Sequence, residues 1–152
     1  MNGIAAVLDA LCRGEGRLTA ELRAMVRLHP EEPEVRHVAT ELARWSAEHE
    51  GLLREALEEY GPADGDPLPA GPGETGSVPD GTRLRLLTDL RALHLAVTGN
   101  RVYWQMLAQA AAASRDARLG ELAGRGLPRA ERELRWTETM IKNLAAQSLT
   151  VS

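Results

Sequence analysis

The chain has 152 residues, one cysteine and a formal net charge of −4. That length suits a single domain, 1–152, with its own buried core. The mildly acidic balance lacks the basic footprint that nucleic acid or an anionic lipid surface requires. Cys12 alone cannot form an internal disulfide and suits a reducing, cytoplasmic setting. The first residues show no basic start followed by an apolar stretch, and no apolar run approaches the roughly 18 residues of a membrane span.

The first predicted helix covers about 3–28. Ile4, Leu8, Leu11, Glu15, Leu18, Leu22 and Met25 recur at alternating spacings of four and three, which places them on one face. Asn2 is a candidate cap. Gly14 and Gly16 each cost about 1 kcal/mol inside a helix, so its middle is expected to be weak. The stretch "HPEEPEV" (29–35) breaks the chain and restarts it. Pro33 fits a first helical turn, where its missing N–H costs nothing.

The second helix is expected over 33–60. Its stripe runs through Val35, Val38, Leu42, Trp45 or Ser46, His49, Leu52 or Leu53, Ala56 and Tyr60, with a charged face opposite. "GPADGDPLPAGPGETGSVPDG" (61–81) follows, with five prolines and six glycines that exclude helix and strand. A connection of this length is uncommon inside one domain, and a crossover running the length of a helical bundle accounts for it.

The third helix is expected over 82–113, with Leu86, Leu90, Leu93, Val97, Asn100, Trp104, Leu107 and Ala111 on its stripe. Asp116 can cap a fourth helix over 116–147. Its large apolar residues give a stripe of Leu119, Leu122, Leu127, Glu131, Leu134, Glu138, Ile141 and Leu144 or Ala145. Pro128 is expected to kink or interrupt this helix. The fold class is therefore all-α: a four-helix bundle of two helical hairpins joined by a long crossover.

At about 1.5 Å per residue, Glu15, Ser46 and His49 lie roughly 20–24 Å from one end of such a bundle. Asn100 and Glu131 lie roughly 20–23 Å from the other, so the levels meet near the middle. Polar groups converging in a core must be hydrogen-bonded, paired or metal-bound.

Two hairpins, a long crossover and polar residues at mid-bundle resemble the ferritin-like superfamily. The C-terminal "LRWTETMIKNLAAQSLTV" also resembles helix four of small bacterial members of unassigned role. Di-iron members carry a Glu on helices one and three and an ExxH on helices two and four. Glu15 matches the first Glu. Helix two reads Ser46-x-x-His49, and Asn100 stands where a Glu is expected. Helix four offers Glu131-x-x-Leu134 or Glu133-x-x-Trp136, without the histidine.

Ser46 and Asn100 remove two anionic ligands, and neither can bridge two cations. The resemblance thus implies a degenerate metal site and no cofactor. The expected arrangement is a buried hydrogen-bonded network of Glu15, Ser46, His49, Asn100 and Glu131 that fixes helix register. The alternative is a reduced site in which Glu15, His49, His94 and Glu131 hold iron or manganese for an oxidase or iron-handling protein. A further alternative is a small-molecule pocket between the helices.

Other motifs carry less. "GEG" (14–16) and "GPGETG" (71–76) lack the Lys-Ser/Thr of a phosphate loop, and no glycine-flanked serine nucleophile is present. Leu87, Leu95, Val102, Tyr103 and Met106 fall off the third stripe, and Trp45 and Trp136 sit at stripe margins. Such groups mark an interface, and a homodimer is the expected assembly. The functional expectation is a non-catalytic binding, scaffold or accessory protein.

Overall fold

The computed structural model describes residues 2–63, 65–71 and 83–150, which contain four helices and no strand. They are α1 (Gly3–Leu28), α2 (Pro33–Tyr60), α3 (Arg83–Ser114) and α4 (Ala117–Thr150). Asn2 caps α1 by accepting the Ala5 N–H at 3.1 Å, and Asp116 accepts the Leu119 N–H at 3.1 Å at the start of α4. Pro33 opens the first turn of α2. Between α3 and α4, Arg115 takes a left-handed φ of 56°, and Asp116 N–H returns to Ala111 O. These are the marks of a helix closed by a Schellman motif, here without its usual glycine.

The helices form a square in the order α1, α2, α4, α3. The α1/α2 and α3/α4 hairpins pack closely and α1 packs on α3. α2 and α4 approach each other least, and the diagonal pairs stay apart. Asn2 Nδ2 donates to Tyr60 O at 2.6 Å, and the Tyr60 hydroxyl donates to Asp116. The start of α1, the end of α2 and the start of α4 therefore share one end. His29, just past α1, pairs with Asp89 of α3 at 2.7 Å at the other. The end of α2 and the start of α3 thus lie at opposite ends of the bundle. The described part of the connection runs over α1 and α3. Arg13 donates to Leu68 O, the Tyr103 hydroxyl donates to Pro69 O, and Gly71 rests against Arg17. Residues 72–82, the remainder of the Pro/Gly-rich stretch, lie outside the described residues.

α1 runs unbroken through its two glycines, and each lies where a neighbouring helix comes close. A Cβ on Gly14 would meet Asn100 Oδ1 at 2.3 Å, and one on Gly16 would meet the Glu50 carboxylate at 2.5 Å. Each missing side chain admits a polar group from α3 or α2.

The α3 stripe is buried at every predicted position. The α4 stripe is not the predicted one. Its buried line is Leu119, Ala123, Gly126, Ala130, Glu133, Thr137, Met140 and Leu144. Beyond Leu119 this is one residue, about 100°, from the expected face until Leu144. Leu122, Leu127, Leu134 and Ile141 flank it at half burial. The physical reason is Trp104: its indole fills the centre, so the facing helix offers small residues there and sets its leucines to the sides. α4 also runs unbroken through Pro128. The Gly124 carbonyl that loses its partner belongs to an exposed residue, where water can take over the bond.

Candidate functional site

The mid-bundle layer is built around Trp104, which is fully buried. Its indole N–H donates to Glu15 Oε1 at 3.0 Å. The His49 ring meets the indole edge-on, with centroids 5.4 Å apart and planes at 72°. A Cβ on Gly126 would fall 2.5 Å from three indole carbons, so only glycine fits beneath the ring. Four helices thus converge on one aromatic side chain.

Glu15 and His49 come together as expected from their register. His49 Nδ1 stands 3.6 Å from Glu15 Oε1, longer than a hydrogen bond. On its other side, Arg129 Nη1 donates to His49 Nε2 at 3.2 Å. A guanidinium only donates, so Nε2 supplies the lone pair and the ring proton sits on Nδ1, toward Glu15. Arg129 also lies 5.2 Å over the Trp45 ring and 3.6 Å from Glu48.

Ser46 and Asn100 are buried at the same layer but do not close the expected network. Ser46 Oγ and Asn100 Nδ2 make no protein hydrogen bond, and neither does Glu15 Oε2. Glu131 is the clear departure. It lies at the surface, 3.7 Å from Arg101, because the α4 face is turned from the predicted one. Glu133 takes the buried position. Burial pushes its carboxyl well above the usual range, the Glu15 carboxylate pushes it further, and Arg129 pulls it back.

His94 does not join the layer. It is half-buried between α3 and α4, with Nδ1 2.8 Å from Thr137 Oγ1. The Thr137 hydroxyl donates to Leu134 O, so the His94 ring is the donor to Thr137. Of the four candidate ligands, only Glu15 and His49 are neighbours. Among the described residues no three His, Cys, Asp or Glu side chains are grouped to hold a metal ion.

Cys12 is half-buried on α1, and burial raises its thiol above the ordinary value. That is the reverse of what a reactive thiolate needs. The open α2/α4 seam holds a cleft of about 200 Å³ over Leu52, Ala56, Leu119 and Leu122. Ion pairs span the same seam: Arg118 with Glu59, and Arg125 with Glu48 at 2.8 Å.

Sequence reasoning missed Arg129 and the indole as the donor to Glu15, and it placed Glu131 in the buried network where Glu133, offered only as the alternative motif, is the buried carboxylate. A signal was available. Gly126, Ala130, Glu133, Thr137 and Met140 alternate by four and three as strictly as any leucine stripe. Compared with protein-family models, curated proteins and solved structures, the chain has no match.

Proposed function

We propose that this chain is a non-catalytic, ferritin-like bundle acting as a binding, scaffold or accessory protein, without a working di-iron centre. One observation carries the reading. Glu15 Oε1, the oxygen that faces His49 Nδ1 at 3.6 Å, already accepts the Trp104 indole N–H, and the indole packs edge-on against the His49 ring. A metal bound to that oxygen would have to compete with the indole N–H, and the ring is held in place by its fit over Gly126. The identities of Ser46 and Asn100 support it, since neither supplies a bridging anion. The opposite placement of the α2 and α3 ends supports a lengthwise crossover over 61–81.

The cleft at the α2/α4 seam favours small-molecule binding as a second reading. At about 200 Å³ it is smaller than the roughly 300–1,000 Å³ of most ligand sites, which ranks this reading second.

Elemental analysis tests the first reading. Protein prepared with iron or manganese present should carry well under one equivalent per chain and show no ferroxidase activity. Two equivalents per chain, lost in His49→Ala, would overturn it.

A further inference from the structure

The outer surface of α3 differs from that of the other three helices. α1, α2 and α4 carry local ion pairs on their exposed sides: Arg13–Asp9 and Arg17–Glu21, Arg44–Glu41 and Arg54–Glu50, and Lys142–Glu138. On α3 the comparable pair, Arg85–Asp89, lies near the start of the helix, and Arg101 turns sideways to Glu131. Five large apolar side chains are exposed among the described residues, and four are on α3: Leu84, Leu95, Val102 and Met106, at 37–55% exposure. At 100° per residue these four fall within an arc of about 40°, directly opposite the buried stripe. Arg91 is the one charged residue along that line.

We infer that α3 pairs antiparallel with α3 of a second copy, about a two-fold axis between Thr98 and Gly99. The sequence is self-complementary about that point. Leu95 meets Val102 of the second copy, Leu84 meets Ala113, and Arg91 meets Met106, so no charge faces a like charge. Gly99, which has no side chain, sits at the axis. Space above Gly99 is open, which lets the two helices approach toward the near end of the usual 8–10 Å range. Moving the axis by half a heptad one way opposes Leu95 to Gln109, and the other way sets Leu95 against itself and gives up the close approach at Gly99.

The size of the surface sets the strength. Residues 84–113 extend about 44 Å, and a helix about 10 Å wide gives a footprint near 900 Å² over both copies. That is below the roughly 1,200 Å² of stable specific interfaces, which fits a weak dimer that dissociates in the micromolar range. The pairing adds a partner to the interaction reading but does not depend on it. Metal content tests that reading, and mass tests this one.

Light scattering at tens of micromolar should give the dimer mass, falling to the monomer on dilution. Val102→Glu should be monomeric with unchanged helicity and melting temperature, since the side chain is exposed. In a Cys12→Ala background, Gly99→Cys should form a disulfide-linked dimer on mild oxidation. Leu84→Cys should not, because its image lies about 44 Å away. A monomer at every concentration overturns the pairing. A dimer indifferent to Val102→Glu, or one that Leu84→Cys links as readily as Gly99→Cys, does the same. A monomer that binds phosphatidylcholine vesicles through this stripe would assign it to lipid instead, and would also overturn it.

Discussion

Trp104→Ala is expected to cost about 3–5 kcal/mol of unfolding free energy, as large aromatic truncations in a core do. The indole is fully buried and touches α1, α2 and α4, so its loss removes packing from three helices together. It also strips Glu15 of its indole hydrogen bond, and a buried carboxylate without a donor adds to the loss. Gly126→Ala tests the same fit from the other side. Alanine favours a helix by about 1 kcal/mol over glycine, yet the new methyl would collide with the ring. The net change should be destabilising by about 1–3 kcal/mol. Shrinking the ring should relieve this, so Trp104→Phe with Gly126→Ala should cost less than the sum of the single changes. Urea unfolding followed by circular dichroism reads all four proteins. A loss under about 1 kcal/mol in Trp104→Ala would remove the indole as the organising group of the core.

Glu133→Gln should stabilise the protein, and more so as pH rises. In the native state the Glu133 carboxyl titrates above its ordinary value near 4.5, because it is buried beside Glu15, with only Arg129 opposing. Once pH passes the unfolded value, the unfolded chain releases a proton that the native state keeps. The native state then binds more protons, and stability falls as pH increases toward the raised native pKa. This group's contribution is full below the unfolded value and is lost on the alkaline side. Glutamine keeps the shape and cannot ionise. Urea midpoints from pH 5 to pH 8 should therefore diverge, with the variant ahead at pH 8 and the gap narrowing toward pH 5. Parallel profiles would mean that Glu133 is not the group held neutral.

Helices announced themselves in this sequence wherever large apolar residues marked the inner face. On α1 and α3 the predicted and buried stripes agree closely. On α4 the rule that the largest apolar groups lie deepest fails, because the deepest volume already belongs to Trp104. Leu127 and Leu134 pack beside it, while Gly126, Ala130 and Glu133 face it. Glu15 and His49 were legible because a polar residue on an otherwise apolar stripe is conspicuous. Glu133 was not, because it is one of several carboxylates on a charged helix and only the helix phase distinguishes it from Glu131. Arg129 was hidden for a similar reason. An arginine reads as solvated until its reach to His49 and Trp45 is known.

The fit between Trp104 and Gly126 also constrains the order in which this core can have been assembled over evolutionary time. An indole entering while residue 126 carried a side chain would have been destabilising, since even a single Cβ overlaps the ring. The favoured order has the glycine first, or both changes in the same step. Once the ring was in place the route back was disfavoured, because any Cβ beneath it meets the same overlap. Among descendants of a common ancestor, residue 126 should therefore vary only where residue 104 has already become smaller.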